Sequence, residues 1–497
     1  MELDWLLAPP LPQTLPHSLP RQQMLYHRLR DAILSGRLAS GTRLPASRGL
    51  AASLKIARNT VLFAYEQLVA EGCLVADRHG TRVAALPARP AMQSATADAP
   101  ATRQRLSARA AAALQPELER EVAALPFSPG VPDFGAFPFR SWRACLERAW
   151  RDAGWRQLGY AAHGGEPALR EALAGHLTSV RGLPVDAAQI VITSGTQAAL
   201  DLCARLLGDH GDTVWAENPG YLAARVAFGL AGLQVHDVPV DAEGLSPCED
   251  DWRHHPPRLI MITPSHQYPT GRVMSLPRRL ALIERARRSG AWIIEDDYDS
   301  EFRRAGPAPP ALFGLQADAP VVYVGTFSKT LYPGLRLGYI VLPQAIAADF
   351  ARATAQATRA GQGIEQRALA DFIRRGHYTA HLRRMRARYA ARQAALRAAL
   401  REAFGPRVEL SGGEAGLHLV MWLPSEIRDM EVVKRAAELG LGVRALGSYA
   451  RAPMMCNGLV LGYGNLEEGM VSEGVRRLAV AVGHRDSDGR GVERRVF

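Results

Sequence analysis

The chain has 497 residues, 47% hydrophobic and 22% charged, with a formal net charge of +11. Such a length exceeds what one core ordinarily organises, so two or three soluble globular domains are expected, and the basic balance permits nucleic-acid binding without requiring it. No stretch approaches the ~20 uninterrupted apolar residues of a membrane span, and the acidic start Met1-Glu2-Leu3-Asp4 is unlike an export signal, so a cytoplasmic protein is the expectation.

Five scattered cysteines (Cys73, Cys145, Cys203, Cys248, Cys456) form no C-x-x-C pair, so neither a disulfide framework nor a metal site is expected. Lysines number only three: Lys55, Lys329 and Lys434. Chemistry that needs a lysine amine therefore has few candidates.

The first compact region spans residues 18–86. Leu25, Leu29, Ala32 and Ile33 recur at helical spacing, with a stop near Gly36. A second short helix carries Leu50, Ala51 and Leu54 inward, and Lys55-Ile56-Ala57 makes a tight connection. A third helix begins at Arg58-Asn59-Thr60 and packs through Val61, Ala64, Tyr65 and Leu68. Two helices joined by so short a turn make a helix-turn-helix, whose second helix enters the major groove by its N-terminal residues. Arg58, Asn59 and Thr60 stand at that end and suit phosphates or base edges. Strand-forming runs on either side of Asp77-Arg78-His79-Gly80 predict a β-hairpin wing. The run from Leu44 to Ala84 resembles the GntR-type winged helix. That resemblance implies a double-stranded DNA partner contacted by Arg48, Arg58, Asn59, Thr60, His79 and Gly80. Leu62 departs from it, standing where many relatives carry a further basic residue.

Residues 87–126, rich in Ala, Pro, Arg, Ser and Gln, read as a flexible linker with no face able to anchor a core. From 127 to 482 strands alternate with amphipathic helices, predicting an α/β domain with a mainly parallel sheet. Residues 483–497 read as a disordered tail.

Four signals in the α/β region carry chemistry. Ile190-Val191-Ile192-Thr193 runs through the turn Ser194-Gly195-Thr196 into a helix, and such a helix N-terminus is an anion site. Glu217-Asn218-Pro219-Gly220-Tyr221 brings an aromatic ring to a loop after a strand, able to stack on a planar cofactor. Trp292-Ile293-Ile294-Glu295-Asp296-Asp297-Tyr298 is a buried parallel strand whose end offers a carboxylate for a pyridine nitrogen and a phenol for a ring oxygen. Val321 to Tyr339 is a strand that delivers Lys329 to its end, with Arg336 seven residues later. A lysine amine forms a Schiff base with an aldehyde cofactor, and an arginine can hold that cofactor's phosphate. Lys55 lies in the helix-turn-helix and Lys434 on a charged helix face, which leaves Lys329 for the imine.

Each signal alone has an ordinary structural explanation: a common turn, a strand terminus, a surface lysine. In their order and spacing they resemble a fold-type I, class I aminotransferase from Phe127 to Val482. With the GntR-like head, the whole chain resembles a regulator of the MocR/GabR type, whose α/β domain opens with a stretch like FSPGVPDFGAFPFRSWRACLERAWR. The resemblance implies pyridoxal 5'-phosphate as cofactor, with Lys329 as its Schiff-base lysine, Asp296 as the pyridine-nitrogen partner and Tyr298 as the phenolic-oxygen partner. It implies phosphate binding by Ser194, Gly195, Thr196, Thr326 and Arg336, and ring stacking by Tyr221. Tyr160 matches a tyrosine that one subunit lends to its neighbour's phosphate, which implies a homodimer.

Two departures bear on activity. In His266-Gln267-Tyr268-Pro269-Thr270-Gly271, Tyr268 replaces an aminotransferase asparagine, as MocR-type proteins commonly do. Gly458-Leu459-Val460-Leu461 holds no arginine, although class I enzymes place their carboxylate-gripping arginine near Val460. Arg225 and Arg444 are the alternative anchors. The expectation is a cytoplasmic, dimeric regulator that binds operator DNA and senses an amine, an amino acid or pyridoxal phosphate itself, with weak or absent transamination. The rivals are a working aminotransferase with an accessory DNA-binding head, and a regulator whose large domain has lost its cofactor and only dimerises.

Overall fold

The structure, a computed structural model, describes residues 20–78, 80–85, 106–113, 125–160, 163–303, 309–358, 361–406, 408–452 and 456–483. The described residues divide into two units between Gln104 and Arg105.

In the smaller unit three helices, Arg21–Leu34, Ser47–Ser53 and Arg58–Ala70, are followed by a hairpin of β1 (Leu74–Asp77) and β2 (Gly80–Val83). Helices this short are marginal alone, so their common core holds them. Leu25, Leu29 and Ile33 from the first, Leu50 from the second, and Val61, Ala64 and Leu68 from the third are buried together. The hairpin pairs Leu74 with Val83 and Asp77 with Gly80. Its base is pinned by buried Leu74 and Val83 while its outer positions face solvent.

The larger unit is built on an eight-stranded sheet of β3 (Ile190–Thr193), β4 (Thr213–Asn218), β5 (Gln234–Asp241), β6 (Gly244–Leu245), β7 (Leu259–Ile262), β8 (Trp292–Asp297), β9 (Val321–Thr326) and β10 (Gly338–Val341). Their order is β3-β10-β9-β8-β7-β4-β5-β6. β5, β4, β7, β8 and β9 run parallel, while β10 is antiparallel to both β3 and β9. Every residue of β3, β7, β9 and β10 is buried, as unbroken apolar runs covered on both faces require. The carboxyl ends of β3, β4, β7, β8 and β9 thus share one edge, where ligands bind in such sheets.

A second, antiparallel sheet joins β11 (Leu410–Ser411), β12 (His418–Trp422), β13 (Arg444–Ala445) and β14 (Gly458–Gly462) in the order β11-β12-β14-β13. No helix among the described residues is long and apolar enough to cross a membrane.

Part of the expected linker is ordered. Ala108–Ala113 forms a helix whose last residue is buried, and Ala113 lies against Gly229 of the helix Leu222–Ala231. The alanines that gave the stretch no bulky core face allow this close approach to a glycine. Linker positions 87–105 and 114–124, and the expected tail from 484 onward, lie outside the described residues.

Candidate functional site

Beyond the end of β9, Lys329 turns its Nζ onto the carbonyl of Gly130 at 2.9 Å. A Cβ at Gly130, whose φ is +73°, would stand 2.8 Å from that nitrogen, so only glycine leaves room for the lysine.

Strand alternation sorts the three acids at the end of β8. Glu295 and Asp297 point to one face, where both are satisfied. Glu295 accepts from the backbone of Leu312 at 3.1 Å and Phe313 at 3.0 Å, and Asp297 pairs with Arg181 at 2.7 Å and accepts from the Tyr323 hydroxyl at 2.7 Å. Asp296 points the other way and is buried, and its Oδ1 has no hydrogen-bond partner among the described residues. Burial, reinforced by the charges of Asp297, Asp299 and Glu217, pushes its carboxyl up to about 8, and the Lys329 charge opposes the rise. The site therefore holds a buried acid that its surroundings keep protonated near neutral pH.

Tyr298 donates its hydroxyl to the backbone carbonyl of His266 at 2.9 Å and lies 3.1 Å from that residue's Nδ1. The same Nδ1 is 3.0 Å from Asp299, and the His418 ring lies 4.8 Å from the His266 ring. His418 itself is fixed by a 3.0 Å bond from Nε2 to the Pro269 carbonyl, and burial keeps its imidazole well below its usual range.

The helix Thr196–Leu207 starts at Gly195, which has φ +91° and a Cβ position only 3.6 Å from the Arg336 guanidinium carbon. A helix N-terminus and an arginine thus converge on one point, beside Thr326, whose Oγ1 accepts from the Ser328 amide at 3.2 Å. Ser194 and Arg336 are exposed there. Tyr221 meets Tyr268 edge-on at 5.9 Å, and the Tyr268 and Tyr449 hydroxyls share a 2.9 Å hydrogen bond. Tyr268 and Tyr449 border a cavity of about 840 Å³ whose lining also includes Gly130, Lys329 and Arg444.

The edge of the sheet thus gathers Ser194, Gly195, Thr196, Tyr221, Asp296, Tyr298, Thr326, Lys329 and Arg336. Lys434, expected on a charged helix face, is exposed on the helix Asp429–Glu438 and also lines the same cavity as Lys329. Arg225, offered as a carboxylate anchor, is half-buried beside Asp237, and burial lowers its guanidinium to about 10. Tyr160 is 77% exposed and does not line the cavity.

On the smaller unit Arg48, Arg58 and Asn59 are exposed at the start of their helices, and Thr60 is half-buried. Arg58 Nε reaches the Ser47 hydroxyl at 3.4 Å, which ties the two helix starts together. His79 lies outside the described residues. Gly80 lies against the guanidinium of Arg43, whose Nε would be 3.2 Å from a Cβ there. Sequence reasoning missed Arg43, since only hairpin closure brings it to the wing. It also missed Asp299 and His418, which lie 33 and 152 residues from His266 in the chain. The only hint was a polar residue inside an apolar strand, His418 in His418-Leu419-Val420-Met421-Trp422.

Comparison with known proteins agrees with this geometry. Residues 125–450 match the family "Aminotransferase class I and II", and residues 21–83 match "Bacterial regulatory proteins, gntR family". The chain is 39% identical over 476 residues, 95% of each protein, to the "Probable rhizopine catabolism regulatory protein MocR" of Rhizobium meliloti. The chain belongs to the MocR-type family. A second relative is the HTH-type transcriptional regulator TauR of Rhodobacter capsulatus, 34% identical over 93% of this chain and 97% of its own. Among solved structures, kynurenine aminotransferase of Pyrococcus horikoshii superimposes with a TM-score of 0.69 and 27% identity, covering 76% of this chain and 96% of its own. The α-aminoadipate aminotransferase LysN of Thermus thermophilus gives 0.68 and 29% over the same shares. This MocR-type chain therefore joins a GntR winged helix to a fold-type I aminotransferase domain.

Proposed function

We propose that this MocR-type protein is a transcription regulator that binds operator DNA through its winged helix and pyridoxal phosphate in its larger unit. One observation carries the reading: a GntR head and an aminotransferase-like domain occupy one chain, which aligns nearly end to end with proteins named as transcriptional regulators. The name of a further relative, the pyridoxine biosynthesis regulator PdxR of Corynebacterium glutamicum, 32% identical over 91% of this chain, is in keeping with a regulator that handles this vitamin.

The residues fit the cofactor. When bound, pyridoxal phosphate supplies an aldehyde that condenses with amines and a pyridine ring that withdraws electrons. Asp296, with its orphaned Oδ1, would hold the proton on the ring nitrogen and become ionised there. Tyr298 would direct its hydroxyl to the ring's phenolic oxygen, and Tyr221 would cover one ring face. The amides at Gly195 and Thr196, with Ser194, Thr326 and Arg336, would hold the phosphate. Lys329 would hold the aldehyde carbon through Nζ, the atom that rests on Gly130 in this structure.

The protein would act as a homodimer in the cytoplasm. Trp150, Trp155, Leu158 and Tyr160 are 59%, 79%, 68% and 77% exposed, large apolar side chains of a kind that a second copy would cover. Tyr160 would reach the partner's phosphate. An incoming amine or amino acid, or the cofactor itself, would change operator affinity.

A working aminotransferase is the second reading, favoured by a 28% identical relative named 2-aminoadipate transaminase. Tyr268 and the absence of arginine from β14 weigh against it. Operator binding measured with and without cofactor tests the regulator reading, and a panel of amino acids with a keto-acid acceptor tests the rival. Steady multiple turnover near the roughly 10 per second common among enzymes would favour the rival.

A further inference from the structure

We infer that His266, held by Asp299, is a positioning residue for Tyr298, so that the chain Asp299–His266–Tyr298 sets how strongly the Tyr298 hydroxyl donates to the cofactor's phenolic oxygen. The inference rests on the reading of Tyr298 as the partner of that oxygen.

His266 and Asp299 are each 2% exposed, and Nδ1 of His266 faces both carboxylate oxygens, at 3.0 and 3.2 Å. An ionised carboxylate only accepts, so beside one the ring carries its proton on Nδ1. The Tyr298 hydroxyl stands 3.1 Å from the same Nδ1 and donates to the His266 backbone carbonyl at 2.9 Å. One residue therefore presents the phenol with both a donor and an acceptor. The ring is also held against turning. A Cβ at Gly416, whose φ is +76°, would overlap the ring and the Asp299 carboxylate, and one at Gly271 would lie 3.2 Å from Nε2.

Nε2 itself is buried with no hydrogen-bond partner among the described residues. A histidine kept only to satisfy a polar core would engage both nitrogens, because a bare buried nitrogen is costly. Here the polar contacts of the ring lie on the Nδ1 edge, with Asp299 and Tyr298. When the hydroxyl turns to the cofactor, its oxygen still faces Nδ1, and a phenol that accepts one hydrogen bond donates another more strongly. Burial, reinforced by Asp299, Tyr268, Asp296 and Glu217, raises the Tyr298 phenol well above its usual range, so it keeps its proton and acts as a donor. A donor to the phenolic oxygen stabilises negative charge there, which is greatest when the nitrogen joined to Lys329 carries no proton. Strengthening that donor lowers the pH at which the visible band of the bound cofactor changes, and losing it raises that pH.

The test is pH titration of the visible band in full-length protein loaded with pyridoxal phosphate, for wild type, Tyr298→Phe, His266→Leu and the double variant. Asp296, Glu217, Tyr268, Lys329 and His418, whose ring lies 4.8 Å from that of His266, also face this site and are common to all four proteins. Tyr298→Phe should raise the midpoint. His266→Leu should raise it by about 0.5 pH unit or more, about 3-fold in proton affinity, but by less than Tyr298→Phe. In the double variant His266→Leu should add nothing. Asp299→Asn should also raise the midpoint, because an amide that donates to Nδ1 displaces the proton that Nδ1 offers Tyr298. His266→Asn, which returns a donor near the Nδ1 position, should recover part of the shift. Near-ultraviolet circular dichroism like that of wild type shows that each variant is folded, and where His266→Leu fails to load, Asp299→Asn forms the same cycle with Tyr298→Phe. A midpoint unmoved in the loaded variants, or a shift that adds in full to that of Tyr298→Phe, would overturn the inference. A Tyr298→Phe midpoint equal to that of wild type would instead overturn the reading of Tyr298 on which it rests.

Discussion

Replacing Asp296 with asparagine should affect the cofactor-free and cofactor-bound protein in opposite directions. Without cofactor, Asp296 is a buried acid with an unpartnered oxygen, pushed from 3.8 to about 8 chiefly by burial. Holding it so costs at most about 6 kcal/mol at pH 8, since each factor of ten in proton affinity is worth about 1.4 kcal/mol. Water entry and side-chain relaxation recover much of that. Asp296→Asn should therefore stabilise the cofactor-free protein by about 2 kcal/mol at pH 8, a rise of a few degrees in Tm. The sign follows from linkage: the folded state binds this proton more tightly, so stability is greatest below the ordinary carboxylate range. It is lost as pH rises toward about 8. Glu217 and Glu295, each buried and pushed up to about 7, add to that loss, so the variant should keep a shallower decline that ends near pH 7. With cofactor the order reverses, because asparagine cannot offer an anion to a protonated ring nitrogen. Affinity should fall about 10- to 100-fold, as for a lost charge-assisted hydrogen bond. Thermal unfolding from pH 5 to 9 and titration of the visible band read the two effects. A cofactor-free variant less stable than wild type at pH 8, or one that binds cofactor equally well, would refute the reasoning.

Other substitutions separate the remaining assignments. Lys329→Ala should remove the visible band of the bound cofactor, and borohydride followed by peptide mapping should label Lys329; label on Lys434, which lines the same cavity, would reassign the lysine. Gly130→Ala should weaken cofactor attachment while leaving the fold intact, because a methyl group would crowd Nζ at 2.8 Å; an unchanged band would show that the contact is dispensable. Arg58→Ala should weaken operator binding and, if it touches a phosphate, reduce the salt dependence by about one counterion without altering the band. Trp155→Glu should shift sedimentation from dimer to monomer, and a dimer that persists would place the interface elsewhere.

What could be read in the sequence was what is local. The winged helix is set by helical spacing over a few turns and a three-residue connection, so Arg58 and Asn59 could be placed on its leading end from neighbours alone. The apolar runs of β3 and β9 announced buried parallel strands, and strands that end on Thr193 and Thr326 bring Gly195 and Lys329 to one edge. Among Glu295, Asp296 and Asp297 no local pattern distinguishes the acid with a vacant oxygen. Resemblance named Asp296, and strand alternation supplies the physical reason. What could not be read depends on long-range register. Arg444 reaches the cavity wall only because β13 pairs with β14 sixteen residues later in the chain, at Val460. His418 meets His266 only because two sheets pack together. Arg225 looked available in the sequence, and its neighbour Asp237 is found only when the helix that carries it folds back beside β5.

Operator affinity of full-length wild type and Lys329→Ala, measured with no addition, with pyridoxal phosphate, and with pyridoxal phosphate plus an amino acid, tests most directly whether this chain is a cofactor-dependent regulator. The account predicts that ligand changes wild-type affinity by about 5- to 150-fold, the usual span of coupling between sites, and that Lys329→Ala binds the operator but does not respond. Wild-type affinity identical under all three conditions would contradict it.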